Sequence, residues 1–381
     1  MTGDRSEEML TTSDVVALRP LESTSASSTK FISVNLPVQM GNARMIAYGG
    51  CALALCVHAA YQSIPPSMLA RLRIYSVLGN YLGPTSIDYP LELDVTSLRD
   101  TRSFATRAIM ASQRVDDPKN KGQTMRRTCM HVVVDFIATI GTQTMLSYSV
   151  QPQDQPLTHY SHLAERKEDV QRFVMEGQMS EDLAEAFMQS FKPMQDIAVM
   201  RAGREGVMGP TLNGMLKEKM TSQEDRALPN KTSYDWFRSR QDPLEHHQGQ
   251  TEHGILLPPT PAAACACFLS FMMDGSVSFV PLSHSHLFLT DAEACSSLDL
   301  ALRFHVDDLG ASLWYLREIF TLAGRDERTY SESRLFRQGT LDLPRGSAAA
   351  EQMELVATMT QASVLRGDKP EPMPIIRAAR L

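Results

Sequence analysis

Cysteine is scarce and unpaired in this sequence of 381 residues. There are six cysteines, and no two of them form the Cys-x-x-Cys spacing that is typical of zinc sites and redox-active disulfides. They lie among Ala, Leu and Val, which predicts reduced, buried side chains of an intracellular protein and argues against a disulfide or zinc framework. The six are Cys51, Cys56, Cys129, Cys265, Cys267 and Cys295.

Long apolar runs and a basic excess are missing as well. The two most apolar stretches, 45–61 and 262–273, both fall short of the roughly 20 apolar residues of a membrane span. The first ten residues carry Asp4, Glu7 and Glu8, where a secretory signal needs a basic and then an apolar start. The chain has 37 Lys and Arg against 44 Asp and Glu, a net charge of −7, which argues against a general nucleic-acid binder. We therefore expect a soluble protein with no membrane span and no nucleic-acid partner.

Two segments of small apolar residues stand out from the remainder. The first, 49–61, consists mainly of Gly, Ala, Leu and Cys and is followed by Pro65 and Pro66. The second, 262–273, follows Pro261, a residue suited to the first turn of a helix. Because both segments are apolar on nearly every side, each is predicted to be a helix that is buried all round.

Strand patterns follow each of these helices. In 89–98, for example, Leu91, Leu93 and Val95 alternate with polar residues, which is the period of a half-buried strand. A helix ahead of a four-strand run, occurring twice, predicts a duplicated α+β unit in which an antiparallel sheet wraps around its own helix. The predicted strands are 72–82, 89–98, 103–112 and 131–138 in the first half, and 296–305, 311–320, 333–340 and 352–366 in the second.

The remaining segments are polar and set the predicted domain boundaries. Helices are expected at 163–175 and from Ser180 to Pro193, and the Gly- and Pro-rich residues 196–256 predict a partly disordered surface linker. The predicted divisions are a disordered leader at 1–30, an N-terminal unit at 31–150, a helical and polar insert at 151–256, a C-terminal unit at 257–366 and an extended tail at 367–381.

Three histidines in the linker, His246, His247 and His253, are better interpreted as solvated loop residues than as metal ligands. No carboxylate or thiolate lies at ligand spacing from them. We therefore expect no metal site and no cofactor.

The sequence ends in Ala379, Arg380 and Leu381 after a Pro-rich stretch. A small residue, a cation and a final Leu form a variant of the Ser-Lys-Leu peroxisomal address, which an import receptor reads. The expectation is a peroxisomal protein with that receptor as a partner. A cytoplasmic protein with an ordinary basic end is the alternative.

Polar residues within apolar, inward-facing rows indicate where chemistry could occur, because burial of an unpaired polar group is costly and implies a partner. Asp274 directly follows the second apolar helix, where burial and the negative helix end both disfavour an ionised carboxyl. Gln361 lies on the strand face defined by Ala357 and Met359, and Ser297 opens a strand of alternating Leu residues. Taken singly, each residue also fits a structural role: a turn, an exposed edge and a cap.

Four strings in the sequence resemble the acyl-CoA thioesterase II family. The resemblance covers roughly residues 44–150 and 255–366. The strings are Tyr48-Gly49-Gly50-x-x-x-x-Leu55, Leu98-Arg99-Asp100-x-Arg102-Ser103-Phe104-Ala105-Thr106-Arg107, Ser297-Leu298-Asp299-x-Ala301-x-x-Phe304-His305 and Leu355-Val356-Ala357-x-x-x-Gln361.

This resemblance implies a double hotdog fold, in which two helix-in-sheet units are fused in one chain. It also implies that Asp274, Ser297 and Gln361 together hold the attacking water, with Asp274 as general base. Gly49 and Gly50, in the Tyr-Gly-Gly string, are the implied substrate-binding residues. The implied reaction is hydrolysis of an acyl-CoA thioester to the free acid and CoA, which requires no metal or cofactor.

Several positions differ from the family pattern. Thr101 stands where the family has Gly, Val306 and Asp307 replace Arg-Pro, and Ala362 and Ser363 replace Glu-Gly after the glutamine. Together with 22 Met, which fill irregular apolar tunnels flexibly, these changes suggest an unusual acyl chain, such as a polyketide-derived or branched group. The alternatives are a biosynthetic hotdog protein that catalyses dehydration or cyclisation, and a non-catalytic acyl-binding module. The sequence does not set the oligomeric state.

Overall fold

The structure, a computed structural model, describes residues 9–22, 28–41, 45–139, 145–146, 148–154, 156–241, 254–310, 313–338 and 353–367. These residues form a continuous antiparallel sheet with helices packed against it. None of the helices in this part of the chain is long and apolar enough to cross a membrane.

The N-terminal unit is an antiparallel sheet around one long, buried helix, α2. Its strands follow the order β1-β2-β4-β5-β6-β3 in the sheet. All four strands predicted for this half are present. The elements are α1 (Thr12–Val16), β1 (Leu18–Leu21), β2 (Ser28–Ser33), α2 (Gly49–Gln62), α3 (Pro66–Leu69), β3 (Leu72–Tyr81), β4 (Glu92–Asp100), β5 (Phe104–Asp116) and β6 (Thr124–Ala138).

The C-terminal unit repeats this arrangement around helix α7. Its strands continue the sheet in the order β10-β13-β12-β11-β8-β7, and β9 also pairs with β13. The elements are α4 (Arg166–Met175), α5 (Glu181–Ser190), α6 (Lys192–Ile197), β7 (Ala198–Ala202), β8 (Ser233–Ser239), α7 (Pro261–Met273), α8 (Val280–His284), β9 (Ala294–Ser297), β10 (Asp299–Phe304), β11 (Tyr315–Arg325), β12 (Arg328–Gln338) and β13 (Met353–Arg366).

The two units join where β3 pairs with β10, with Gly79 opposite Leu300. Behind this junction α2 packs against α7. Nearly every residue of both helices is buried, as the small apolar side chains predicted. Small residues allow the backbones of two such helices to approach closely while a sheet covers their outer sides.

The expectation of a disordered leader is wrong for residues 12–21. This stretch forms α1 and β1, with the side chain of Thr11 capping α1. Val16 and Leu18 are fully buried, and β1 pairs with β2 at the edge of the sheet. The segment is held in place by these two buried side chains and by the pairing of its backbone. Its order could not be recognised from composition, because the first 30 residues are rich in Ser and Thr.

The expectation of a surface linker from residue 196 onwards is also wrong. Strands β7 and β8 pair with each other, and β8 pairs with β11, so this segment completes the C-terminal sheet. Tyr234, Trp236 and Phe237 are buried there. The C-terminal unit therefore begins well before residue 257. The boundary predicted from composition was too late because β7 and β8 are short and are separated by a long loop.

Five of the six cysteines are buried and Cys295 is half-buried, and none of the six forms a disulfide in the part of the chain that the structure describes. Three sequence predictions fall outside the described residues. These are the loop histidines His246, His247 and His253, the order of residues 1–8, and the terminal address at Ala379, Arg380 and Leu381. They stay predictions.

Candidate active site

Asp274 forms the C-terminal cap of α7 and is buried, with 6% of its surface exposed. The turn that carries it is held by Arg317 of β11, whose Nη1 donates to the carbonyl oxygens of Met272 at 2.6 Å and Gly275 at 3.0 Å. The same guanidinium pairs with both carboxylate oxygens of Asp235 on β8, at 3.0 and 2.6 Å. Arg317 thus fixes the backbone on both sides of Asp274 while its own charge is paired.

The carboxylate of Asp274 is bound by groups from both units. Its Oδ1 accepts hydrogen bonds from the hydroxyl of Tyr81 at 2.8 Å and from Nε2 of Gln361 at 2.7 Å. The backbone N–H of Gly50 also donates to it. Tyr81 ends β3 and Gly50 begins α2 in the N-terminal unit, whereas Gln361 lies on β13 in the C-terminal unit. The site therefore exists only where the two units meet.

Burial raises the pKa of Asp274, and the hydrogen bonds from Tyr81, Gln361 and Gly50 offset part of this rise because they stabilise the charged form. Burial also raises the pKa of Tyr81 well above its ordinary value, and the nearby charge of Asp274 adds to the effect. Tyr81 consequently remains a neutral hydrogen-bond donor. A carboxyl with a raised pKa is better suited to accept a proton than one at its ordinary value.

The N-terminus of α2 lies against the same carboxylate. Tyr48 occupies the N-cap position and makes no side-chain cap. In the first turn the N–H of Gly50 binds Asp274 and that of Cys51 donates to the carbonyl oxygen of Tyr48 at 3.1 Å, so among the described hydrogen bonds it is the N–H of Gly49 that is available to another acceptor. A Cβ on Gly49 would lie 2.9 Å from Oδ2 of Asp274, and one on Gly50 would lie 2.7 Å from the carbonyl oxygen of Phe271. Glycine is therefore required at both positions by close approach rather than by backbone conformation.

Gln361 has a second polar atom that is free to bind a ligand. The residue is fully buried and its Nε2 is used by Asp274, but its Oε1 has no hydrogen-bond partner in the described part of the chain. Because a side-chain amide oxygen can only accept, the neighbour it requires is a donor such as a water molecule. This arrangement places a water acceptor beside a candidate base.

Of the three predicted catalytic residues, the structure brings Asp274 and Gln361 together, whereas Ser297 lies further away. Ser297 is half-buried and sits opposite Ser363 at the end of β9, two residues along β13 from Gln361. Among the described hydrogen bonds, none joins Ser297 to Asp274. Its role in holding water stays a prediction.

Sequence reasoning missed Tyr81 and Arg317. Tyr81 lies near the end of the predicted strand 72–82, where an aromatic side chain is ordinary. Arg317 and the neighbouring Glu318 interrupt an apolar run between Leu316 and Ile319, so charged residues in that run were the available signal. Neither residue could be assigned to Asp274 without knowing that β3 and β11 approach the end of α7.

Family models match both units. Residues 36–143 match the acyl-CoA thioesterase N-terminal domain, and residues 192–341 match the acyl-CoA thioesterase C-terminal domain. Together the two matches span more than half of the chain. The protein belongs to the acyl-CoA thioesterase II family of double hotdog proteins, and the second match begins near β7, in agreement with the corrected domain boundary.

Solved structures with the same fold extend over nearly the whole chain. Acyl-CoA thioesterase II TesB2 from Mycobacterium marinum has 17% identity and a TM-score of 0.55, with 94% of this chain and 98% of that chain covered. The tesB protein of Mycobacterium avium subspecies paratuberculosis has 15% identity and a TM-score of 0.53, with coverages of 91% and 95%. A hot dog protein of unknown function from Alicyclobacillus acidocaldarius has 13% identity and a TM-score of 0.55, with coverages of 94% and 98%. At these identities the likeness establishes the fold.

A comparison with curated protein sequences gave no match.

Proposed function

We propose that this protein hydrolyses an acyl-CoA thioester to the free acid and CoA, with Asp274 as the general base. The observation that carries the proposal is the placement of the buried Asp274 carboxyl between Gln361, Tyr81 and the uncapped start of α2. A thioester has a good leaving group, so a positioned water and one base are sufficient for attack.

In the proposed reaction, a water donates a hydrogen bond to Oε1 of Gln361 and gives its proton to Asp274. The new bond forms between the water oxygen and the carbonyl carbon, and the bond between that carbon and the CoA sulfur then breaks. The proton held by Asp274 passes to the departing thiolate. The N–H of Gly50 is used by Asp274, so the N–H of Gly49, in the first turn of α2, is the proposed donor to the carbonyl oxygen as it becomes negative.

The partner implied by this proposal is an acyl-CoA. The family supports the thioester class of substrate. A peroxisomal location, read by an import receptor at Ala379, Arg380 and Leu381, remains a proposal from the sequence alone.

The test is thiol release from a panel of acyl-CoA substrates by the wild-type protein and by Asp274→Asn. Loss of a general base lowers the rate by about 10²–10⁴-fold, and we expect kcat to fall by that amount. Asp326→Asn is the matched control. This substitution makes the same chemical change in an exposed hairpin turn. Asp326 has a positive φ of 52°, a backbone conformation that Asn tolerates well.

Equal rates for the wild type and Asp274→Asn would exclude Asp274 as the base. A wild-type protein that binds acyl-CoA but releases no thiol from any substrate would instead identify a non-catalytic acyl-binding module. A changed acyl group without thiol release would identify a dehydration or cyclisation.

A further inference from the structure

Three buried hydroxyl groups on the strands beside Gln361 have no hydrogen-bond partner among the described residues. They are Oγ1 of Thr329, Oγ of Ser331 and Oγ of Ser363. Ser331 and Ser363 are each 1% exposed and Thr329 is 7% exposed. Leaving such a group unpaired and buried costs about 1–3 kcal/mol, so each of the three requires a partner from outside the described residues, either a water molecule or a ligand.

These three hydroxyls lie on the same face of the sheet as Gln361. Ser331 is directly opposite Gln361 in the pairing of β12 with β13, and Thr329 is directly opposite Ser363. Ser363 is two residues beyond Gln361, and alternate residues of a strand face the same side. Because Gln361 points to Asp274, the face carrying the three hydroxyls is the one that lines the site.

The three hydroxyls, Thr329, Ser331 and Ser363, form a row that extends along β12 and β13 from Gln361. Neighbouring strands are about 4.8 Å apart, and two residues along a strand span about 7 Å. Ser331 is therefore one strand away from Gln361, and Ser363 is one further step along β13. Ser297 of β9 is opposite Ser363 and, being half-buried, extends the row towards the surface.

The row is a local departure from the apolar lining elsewhere on this face. Going the other way along the strands, the inward residues become Leu335 on β12 and Met359 and Ala357 on β13, all fully buried. Ser333, between the two regions, has its Oγ within 3.9 Å of Sδ of Met273. A site for a plain alkyl chain would be lined by apolar side chains, as hydrocarbon cannot satisfy a hydroxyl.

We propose that Thr329, Ser331 and Ser363 hydrogen-bond to oxygen atoms on the acyl chain, so that the substrates are hydroxy- or keto-acyl-CoA thioesters. This inference rests on the proposed thioesterase function. A hydroxyl side chain can both donate and accept, so the row accommodates either a substrate hydroxyl or a substrate carbonyl. An acyl chain lacking oxygen leaves these groups unpaired, and the site discriminates against it for that reason.

The experiment compares kcat/KM for decanoyl-CoA, β-hydroxydecanoyl-CoA and δ-hydroxydecanoyl-CoA. We expect the wild-type protein to prefer at least one hydroxylated substrate by about 10-fold or more, the equivalent of one retained hydrogen bond. Ser331→Ala, Ser363→Ala and Thr329→Val should each reduce that preference. Ser333→Ala is the matched control, as it removes a buried hydroxyl from the same face of β12 that already has a protein neighbour, and it should leave the preference ratio intact.

Binding of the same substrates to Asp274→Asn, measured by calorimetry, gives a readout that does not depend on hydrolysis. Tighter binding of a hydroxylated chain, weakened by a second substitution at Ser331 or Ser363, supports the proposal. No preference in the wild type overturns it. An equal effect of the substitutions on all three substrates also overturns it, because the hydroxyls would then contact the CoA arm or buried water only. Absence of thiol release from every substrate is a failure of the proposed function, and the calorimetric preference still decides the substrate class.

Discussion

Tyr81 and Gln361 donate to the same oxygen of Asp274, at 2.8 and 2.7 Å. Both hydrogen bonds stabilise the ionised carboxylate, against the burial that raises its pKa. A buried base therefore has a pKa that depends on its neighbours as much as on its own position. In this protein one of those neighbours comes from the opposite unit.

Replacing Tyr81 by Phe should raise the pKa of Asp274 further, because a donor to the charged form is lost. A hydrogen bond to a charged group is worth about 1.5–3 kcal/mol, and one pKa unit corresponds to about 1.4 kcal/mol. Since the base works only when ionised, activity is lost as the pH falls through its pKa. The acid limb of the pH profile of kcat/KM should therefore move to higher pH by about 1–2 units.

The control for this change is Tyr330→Phe, which removes a phenol hydroxyl from a residue that is 41% exposed. Its profile should match that of the wild type. A Tyr81→Phe protein with an unshifted acid limb would show that the Tyr81 hydroxyl does not set the proton affinity of Asp274.

Single residues in the sequence could identify part of this site. Asp274 and Gln361 were visible because each interrupts an apolar row, and the family strings assigned them a role. The unpaired hydroxyls of Thr329, Ser331 and Ser363 were not recognisable, as Ser and Thr are common in strands and their lack of partners appears only when β12, β13 and α7 are assembled.

At the scale of elements, the two buried helices run in opposite directions and differ at their starts. The Tyr48 hydroxyl at the start of α2 donates to the carbonyl oxygen of Phe271 near the end of α7, at 2.6 Å. At the other end, Gln62 of α2 donates to the carbonyl oxygen of Leu257, just ahead of α7, at 2.7 Å. The duplication therefore creates two places where a helix start meets a helix end.

Only one of these two places has the groups needed for chemistry. The start of α7 has Pro261, which lacks an N–H, and Thr260, whose side chain caps the N–H of Ala263 at 3.1 Å. The helix end facing it is capped by Ser63, not by a carboxyl. The start of α2, by contrast, has Gly49 without a side-chain cap, and faces Asp274. The duplicated fold thus carries one candidate site.

The helix ends themselves are stabilised in parallel ways. Buried Arg107 of β5 donates to Oγ of Ser63 at 2.9 Å and pairs with Asp100 at 2.7 Å. Arg317 of β11 does the equivalent at the end of α7, with Asp235 as its carboxylate partner. The family string around Asp100 and Arg107 is therefore a structural feature that anchors α2 to its sheet.

Gly49→Ala tests the close contact at the start of α2. The new Cβ would lie 2.9 Å from both Oδ2 of Asp274 and the ring of Tyr81, so the carboxylate has to move. Because Ala is the better helix former by up to about 1 kcal/mol, the helix itself gains from the change. We expect kcat/KM to fall at least about 10-fold, the effect of a small misplacement of reacting groups, while the thermal midpoint shifts by only a few degrees.

Gly367→Ala is the corresponding control, because no described atom would lie within 4 Å of its new Cβ. Activity of that variant should equal that of the wild type. If Gly49→Ala retains full activity, the start of α2 does not constrain the carboxylate as tightly as the distances indicate.

For the molecule as a whole, the sequence was informative about the units and much less so about their assembly. Strand patterns in the sequence predicted eight of the thirteen described strands, β3–β6 and β10–β13, and the small-residue helices predicted duplication. Pairing of β3 with β10, and of β8 with β11, joins segments that are distant in sequence, and no local pattern encodes such pairing. The polar insert was misinterpreted for the same reason.

Joining the two units through a shared sheet and a shared site should make them unfold as one. Separation would open the β3–β10 pairing, remove the contact of α2 with α7, and leave unpaired strand edges beside apolar surface. Both tryptophans, Trp236 and Trp314, belong to the C-terminal unit, so their fluorescence reports on that unit alone. Far-UV circular dichroism reports on the strands of both.

We therefore expect the thermal midpoints from tryptophan fluorescence and from circular dichroism to coincide, which is the test for a single cooperative transition. Tyr48→Phe, which removes the hydrogen bond to Phe271 across the unit boundary, should lower both midpoints together, by an amount that corresponds to about 1 kcal/mol. A circular dichroism transition that separates from the fluorescence transition, or a Tyr48→Phe effect confined to one probe, would mean that each unit is stable without the other. In that case the site between the units could open without unfolding either unit, and Asp274 would not be held rigidly between Tyr81 and Gln361.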